Sequence, residues 1–205
     1  PSVFGTLLDR SAGYFRFGPF GIHHPTARVY EPGTNILATT WKPPTGWVLV
    51  RDALTMDPRE HEDKVTPHTR PPADDDGDHW LVRTVRCLEG TVEMELVCEP
   101  VFDYGRTTAA WTLADGSRHT ADATGAGQTI RLRTDMELGI EGDRARARHI
   151  LGPGEELYCA LSWAEGLTAP GDVGAATGRL DATTRYWRAW LGGARLPDHR
   201  WREAI

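Results

Sequence analysis

The sequence predicts an all-β protein, an antiparallel β-sandwich that is followed by a C-terminal linker helix. About eleven short strand-like runs follow one another with no helical pattern between them, which is typical of a sandwich. The 22 Gly and 14 Pro residues supply the turns that many short strands need. Helical spacing of apolar residues occurs only after the last of these runs.

The composition excludes two classes of partner. The 205 residues include 23 Lys and Arg against 29 Asp and Glu, which gives a net charge of −6. Because broad binding to nucleic acid or to an anionic membrane surface needs a basic face, neither is expected. No apolar run approaches the roughly 18 residues of a membrane span.

The first 25 residues have an irregular, turn-rich pattern. Four aromatic residues lie there among glycines and prolines, namely Tyr14, Phe15, Phe17 and Phe20. Aromatic side chains in such a loop either line a pocket, where they can stack on a sugar, or cap the core beneath the loop. The sequence leaves both interpretations open.

The strand-like runs begin at residue 27 and are separated by strong turn signals such as Pro32-Gly33. A long polar loop at 57–78 interrupts them and contains the acidic run 74–78. Calcium loops need acidic residues at alternate positions before the glycine, so we expect a solvated insertion without a metal. The runs are 27–31, 35–41, 47–54, 80–88, 91–102, 111–114, 117–123, 128–133, 136–140, 144–151 and 156–163.

Two hairpins are predicted, one through Glu89-Gly90 and one through Asp115-Gly116. In the run 91–102, apolar residues alternate with acidic ones. The apolar set is Val92, Met94, Leu96 and Cys98, and the acidic set is Glu93, Glu95 and Glu99. This period of two predicts one core face and one wet face, so we expect the glutamates to face solvent rather than to act in catalysis.

The C-terminal helix is predicted to begin after Asp172, a suitable N-cap, and to end at Gly192-Gly193. Its expected buried face recurs every three or four residues and consists of Val173, Ala176, Leu180, Thr184, Trp187 and Leu191. Three aromatic residues near the end of the helix are candidates for packing against another domain: Tyr186, Trp187 and Trp190. A further helical pattern begins at His199.

No common catalytic or metal-binding motif occurs in the sequence, so no catalytic residue and no metal ligand is assigned. Three cysteines lie in strand-like runs without metal-binding spacing, and we expect reduced core residues of an intracellular, cytoplasmic protein: Cys87, Cys98 and Cys159. One cluster stands out at the end of the longest run, where Asp103, Tyr104 and Arg106 present an acid, a phenol and a guanidinium. These groups could contact a sugar or a neighbouring domain, or they could form a structural corner in which Arg106 pairs with Asp103.

Four segments occur in the order and spacing of a known family. They are PSVFGTLLD at 1–9, RVYEPGTNIL at 28–37, FDYGR at 102–106 and YWRAW at 186–190. On these segments, and over nearly its whole length, the chain resembles the N-terminal β-sandwich domain of glucoamylase- and trehalase-like proteins of glycoside hydrolase family fifteen. Within that family the resemblance is closest to the actinobacterial trehalases.

The resemblance implies a sandwich of the supersandwich type that precedes an (α/α)6 barrel. The barrel would carry the two glutamates of an inverting mechanism, one as general acid and one as general base, outside this chain. Residues 1–171 would form the sandwich, whose first strands lie upstream of Pro1, residues 172–193 the linker helix, and residues 194–205 the beginning of the barrel. Phosphate and magnesium are associated with some such enzymes, but no residue of this chain is assigned to either.

The expected function is therefore that of a non-catalytic domain of a glycoside hydrolase that splits trehalose into two glucose molecules. The domain would pack on the barrel of the same polypeptide, shape the rim of the substrate pocket with Asp103, Tyr104 and Arg106, and support a homo-oligomer. One alternative is the equivalent domain of a glucoamylase or another α-glucosidase. A second is a stand-alone carbohydrate-binding module that uses residues 14–20 as its platform. A small sandwich enzyme such as a sugar epimerase is disfavoured, because the eight histidines lie mostly in loops.

Overall fold

The computed structural model describes residues 2–56, 77–114, 116–163 and 168–193. These residues form a four-stranded and an eight-stranded antiparallel sheet, followed by a helix, which confirms the predicted sandwich with a C-terminal helix. The strands are β1 (Tyr14–Pro19), β2 (Ala27–Tyr30), β3 (Leu37–Trp41), β4 (Gly46–Met56), β5 (Gly77–Gly90), β6 (Val92–Glu99), β7 (Thr107–Thr108), β8 (Ala110–Leu113), β9 (Thr120–Gly125), β10 (Gln128–Thr134), β11 (Gly139–Glu141), β12 (Arg144–Leu151) and β13 (Glu156–Ser162). The helical segments are α1 (Phe102–Gly105), a single turn, and α2 (Val173–Gly192).

The strand order shows that β5 and β6 belong to different sheets. The four-stranded sheet has the order β1-β6-β12-β11, and the eight-stranded sheet has the order β2-β3-β4-β5-β13-β10-β9-β8. The predicted hairpin through Glu89-Gly90 is therefore wrong, because β5 pairs with β4 and β13, whereas β6 pairs with β1 and β12. Here the chain crosses from one sheet to the other.

Glycine makes this crossing possible. Gly90 has a φ of +70°, and a Cβ at this position would meet the carbonyl oxygen of Thr45 and the Cα of Gly46. The backbone of β5 thus touches the beginning of β4 as it turns away, a close approach that only glycine permits without strain. Alternation in the sequence identifies the two strands but does not reveal their partners.

The second predicted hairpin is confirmed, because β8 and β9 pair with Leu113 opposite Ala121. The next connection, between β9 and β10, is a two-residue turn. Its residues Ala126 and Gly127 have φ of 50° and 74°. Positive φ at both central positions is typical of the type I′ turn, whose twist matches that of the flanking strands.

The main core lies between the two sheets. Its buried residues include Val48, Val50, Val85, Met94, Leu96, Leu132, Leu157 and Leu161. The three cysteines are free and fully buried, each with 0% exposure, as expected for reduced core residues.

The N-terminal aromatic segment differs from its prediction, because it forms strand β1 rather than an irregular loop. Phe15 and Phe17 lie opposite Cys98 and Leu96 of β6 and pack in the core. Phe20 is 42% exposed, but the guanidinium of Arg148 lies 3.5 Å from the centre of its ring. The sugar-stacking platform weighed for residues 14–20 is therefore not assembled. The consecutive Gly18 and Pro19 at the end of β1 obscured the strand pattern in the sequence.

Helix α2 begins as predicted. The carboxylate of Asp172 accepts a hydrogen bond from the backbone N–H of Ala175 at 2.8 Å, which satisfies one of the free N–H groups of the first turn. Just before the helix, the buried hydroxyl of Tyr158 donates to the carbonyl of Pro170 at 2.9 Å. These two contacts fix the entry of the helix onto the outer face of the eight-stranded sheet.

The buried face of α2 differs by one position from the prediction. Ala176 and Leu180 are fully buried in a second cluster with residues of β5 and β13, as expected. The next buried positions, however, are Ala182 and Thr183, whereas Thr184 is only half-buried. The hydroxyl of Thr183 accepts a hydrogen bond from the N–H of Met56 at 3.0 Å. An ion pair of 3.5 Å between Arg51 and Asp181 adds a further contact between β4 and the helix.

Candidate functional site at the open end of the sandwich

Two of the predicted rim residues, Asp103 and Tyr104, lie in α1 and have left-handed backbone, whereas Arg106 follows α1 with right-handed backbone. Asp103 has φ 49° and ψ 52°, Tyr104 has φ 56° and ψ 43°, and Gly105 has φ 86°. A non-glycine residue in this region costs about 1–2 kcal/mol relative to right-handed backbone. Two such residues in succession hold strain that the surrounding contacts must offset.

The contacts of Phe102 hold this turn in place. Its side chain is fully buried and lies against Gly125, where a Cβ would overlap the ring. Its carbonyl accepts a hydrogen bond from the N–H of Arg106 at 3.0 Å, and its backbone forms a bridge with Thr107. The buried ring thus offsets the strain and positions Asp103 and Tyr104 near the surface.

The structure brings the three rim residues together. Arg106 Nη1 lies 3.6 Å from Asp103 Oδ2, so the structural-corner interpretation accounts for these two side chains. Such an exposed ion pair contributes only about 0–1 kcal/mol. Tyr104 is 70% exposed, and a ring that is exposed on a strained backbone does not contribute to the core. Of the three, Tyr104 is the residue that folding leaves unexplained.

An apolar cavity of about 600 Å³ lies near α1, where the strands of the eight-stranded sheet end. We call this end of the sandwich the open end. The cavity is lined by Val3, Phe4, Leu54, Leu81, Gln128, Thr129, Ile130, Leu161 and Trp163. Leu54 is 60% exposed and Trp163 is 45% exposed, although Val50, four residues before Leu54 in β4, and Leu161, two residues before Trp163, are buried. The sequence did not reveal this cavity, because alternation does not show where the facing sheet stops.

The N-terminal segment links the cavity to α1. The carbonyl of Val3, a cavity residue, accepts a hydrogen bond from the N–H of Val101 at 3.0 Å, next to Phe102. The segment then turns outward and leaves Leu7 and Leu8 with 96% and 94% of their surface exposed. The open end therefore combines a strained turn with several solvent-exposed apolar side chains.

The aromatic residues near the end of α2 also lie together. The rings of Tyr186 and Trp187 are 5.3 Å apart, and those of Trp187 and Trp190 are 6.0 Å apart, both in edge-to-face geometry. All three side chains are half-buried. The indole N–H of Trp187 is buried, and it has no hydrogen-bond acceptor among the described residues.

A charged network that the sequence did not predict covers the outer face of the four-stranded sheet. The side chain of Glu95 is only 9% exposed and lies 3.1 Å from Arg146, 3.5 Å from Arg16 and 3.6 Å from Arg148. The expectation that Glu95 simply faces solvent is wrong, because arginines of the neighbouring strands β1 and β12 cover it. The regular spacing of Arg144, Arg146 and Arg148 along β12 was the sequence feature that could have predicted this network.

Burial rather than catalytic positioning accounts for the shifted titrations of two core groups. Burial raises the pKa of Asp52, and the nearby charges of Arg83 and Arg28 oppose this shift. Burial also raises the pKa of Tyr158 to about 12, so the phenol keeps its proton at neutral pH. Tyr158 is therefore not poised for proton transfer at pH 7.

Among the described residues, no group of three or more His, Cys, Asp or Glu side chains could hold a metal ion. The acidic residues 74–76 and the predicted barrel segment 194–205 lie outside these residues. None of the described helices is long and apolar enough to cross a membrane.

Comparison with known proteins gives no match to a protein-family model. The chain is 45% identical over 208 aligned residues to a trehalase of Mycolicibacterium smegmatis, a match that covers 98% of this chain and 31% of that protein. It is 44% identical to a trehalase of Mycobacterium tuberculosis, again over 98% of this chain but 30% of that protein. The chain thus spans about a third of the length of the curated relatives it matches. Over nearly its whole length, it is similar to one part of a trehalase.

Proposed function

We propose that this chain is a non-catalytic domain of a trehalase of glycoside hydrolase family fifteen. The observation that carries the proposal is the match at 45% identity over 98% of the chain, against only 31% of the relative. The parent enzyme would hydrolyse α,α-trehalose to two glucose molecules with inversion. Its acid and base glutamates would belong to an (α/α)6 barrel formed by the rest of the polypeptide.

The aromatic face of α2 supports a role in packing on that barrel. Tyr186, Trp187 and Trp190 form a half-buried aromatic cluster near the end of α2. Aromatic rings of this kind dominate the energetics of many interfaces. The buried indole N–H of Trp187 has no hydrogen-bond acceptor in the part of the chain described. A backbone carbonyl of the barrel could accept a hydrogen bond from it.

The left-handed turn supports a role at the rim of the substrate pocket. Strained backbone that is held by a buried anchor is a common way to present a side chain at a functional site. In this interpretation, Tyr104 projects toward the barrel, while the pair of Asp103 and Arg106 keeps the turn in shape. The proposal also includes a cytoplasmic homo-oligomer that acts on trehalose or a related α-glucoside.

The substrate separates the proposed function from its main alternative, a glucoamylase or another α-glucosidase. The full-length protein should be supplied separately with trehalose, maltose and maltodextrin while glucose release is measured. We expect hydrolysis of trehalose to be fastest, and NMR should show that one β-glucose forms for each bond cleaved, as inversion requires. Preferred hydrolysis of maltodextrin would favour the alternative, and retention of configuration would contradict the proposed mechanism.

A further inference from the structure

We propose that the apolar cavity at the open end receives apolar side chains from the part of the polypeptide that lies outside these 205 residues. This inference rests on the proposed function, because it takes the chain to be one part of a longer trehalase. It assigns a docking surface that is separate from the aromatic face of α2. Three observations support it: the chemistry of the cavity, the continuity of its leucines with the core, and the length of the relatives.

The cavity lining is almost entirely apolar. Six of its nine lining residues have aliphatic or phenyl side chains, and none of the nine carries a charge. Gln128 and Thr129 supply the amide and the hydroxyl of the lining, and Trp163 supplies a half-exposed indole. Sugar sites need several converging polar groups beside the stacking ring, so this lining fits protein side chains better than a disaccharide.

The exposed leucine of the cavity belongs to a row that continues into the core. Leu54 of β4 lies opposite Leu81 of β5, which lies opposite Leu161 of β13. Along this row, exposure falls from 60% at Leu54 to 2% at Leu161. The sheet thus directs Leu54 toward the same side as buried core residues, but no described residue covers it to the same extent. An apolar occupant would complete the row.

Further exposed apolar residues lie on chain segments that are connected to the cavity lining. The N–H of Val101 donates a hydrogen bond to the carbonyl of the cavity residue Val3, and α1 with its exposed Tyr104 follows Val101 directly. Leu7 and Leu8 extend from the same N-terminal segment and are almost fully exposed. Single exposed leucines are common on protein surfaces, but several exposed apolar side chains on segments that adjoin an apolar cavity are typical of an interface.

The relatives identify where the occupant comes from. The matched trehalases are about three times as long as this chain, so roughly two thirds of each polypeptide lies outside the match. A covalently connected segment is present at a high effective concentration, and it would fill an apolar surface before a separate molecule does. We therefore assign the occupant to the same polypeptide rather than to a second copy or to a sugar.

Thiol labelling of the full-length protein tests this assignment. Leu54→Cys places a thiol in the cavity, and Ile150→Cys is a matched control, because Leu54 and Ile150 are 60% and 63% exposed in this chain. Ile150 lies beside Glu93 in the four-stranded sheet, away from the cavity lining. The native Cys87, Cys98 and Cys159 are buried, and peptide mass mapping distinguishes any other thiol.

With a maleimide under native conditions, we expect Leu54→Cys to react at least tenfold more slowly than Ile150→Cys. Equal rates would overturn the proposal. Protection that disappears on dilution to the monomer would indicate a second copy, and protection that requires trehalose would indicate a sugar. Either result would contradict an occupant from the same polypeptide.

A charge substitution provides an independent measurement. Leu54→Asp should lower the melting temperature of the full-length protein by several degrees more than Ile150→Asp does. Equal shifts would contradict docking at the cavity.

The docking proposal and the proposed function can fail separately. Protection of Leu54→Cys in a protein that does not hydrolyse trehalose would support the surface and refute the function.

Discussion

The inter-sheet core and the open end are built from the same alternating strands, yet they differ in completeness. In the core, Leu132 and Leu161 are covered by the facing sheet and are almost inaccessible to solvent. At the open end, Leu54 belongs to the same row of paired strands as Leu161 but remains 60% exposed. The comparison teaches that an alternating pattern directs side chains to one face, whereas burial depends on what lies opposite.

The largest effect is expected from a core truncation. Leu132→Ala removes a fully buried side chain of β10, and it should destabilise the domain by about 2–5 kcal/mol because a cavity remains. Leu113→Ala is the control, because Leu113 is 45% exposed, and we expect its cost to be much smaller. Urea unfolding followed by tryptophan fluorescence measures both. Similar costs would mean that burial of Leu132 between the two sheets does not stabilise the domain as described.

The second effect concerns the aromatic face of α2. In the full-length enzyme, Trp187→Ala should weaken the docking of this domain on the barrel by about 2–3 kcal/mol. The reason is that the partly buried indole would no longer contact the barrel. In the 205-residue chain alone, the same substitution should lower the free energy of unfolding by a smaller amount. Differential scanning calorimetry of both proteins compares the two losses. An equal loss in both would assign Trp187 to the stability of the sandwich alone.

The third effect separates strain from function at the rim. Tyr104→Gly should stabilise the domain by about 1 kcal/mol, because glycine adopts left-handed backbone without the Cβ penalty. If Tyr104 shapes the pocket, the KM for trehalose should rise in the full-length enzyme while kcat changes less. Ala126→Gly is the matched control, since Ala126 also has positive φ, 50°, in the β9–β10 turn but has no proposed contact with substrate. An equal rise of KM in both variants would remove the role assigned to Tyr104.

The smallest effect concerns the half-buried carboxyl group of Asp52. Burial raises the pKa of Asp52 above its ordinary value of 3.8, so the folded state binds this proton more tightly than the unfolded state does. The contribution of Asp52 to stability is therefore complete below pH 3.8 and is lost as the pH rises through the folded-state pKa. Asp52→Asn should be more stable than the parent protein at pH 7, and the gain should shrink toward pH 4. Thermal melts across this range measure it, and a gain that grows on acidification would contradict the assignment.

Much of the fold could be predicted because its determinants are local. The alternation of Met94 and Leu96 with glutamates identified β6, and the Asx cap at Asp172 placed the start of α2. The strands with which β5 and β6 pair could not be predicted in this way. Their separation into two sheets depends on the close approach of Gly90 to β4, a long-range contact that local patterns do not encode.

The candidate site was predicted only in part, for the same reason. The sequence identified the composition of the rim at Asp103, Tyr104 and Arg106, but it did not reveal the left-handed backbone of Asp103 and Tyr104. That backbone depends on the contact between Phe102 and Gly125, which are distant in sequence. The cavity also escaped prediction, because the exposure of Leu54 reflects the extent of the opposite sheet. Local composition thus indicated the candidate contact residues, whereas tertiary contacts determined their backbone conformation and exposure.

The most direct test of the central claim is glucose release from trehalose by the two parts of the protein, produced as separate polypeptides. The 205-residue chain and the remainder of the full-length protein should be assayed alone and after mixing. We expect no glucose from the chain alone, and more glucose from the mixture than from the remainder alone, because docking restores the pocket rim. Release of glucose by the isolated 205-residue chain would contradict the account.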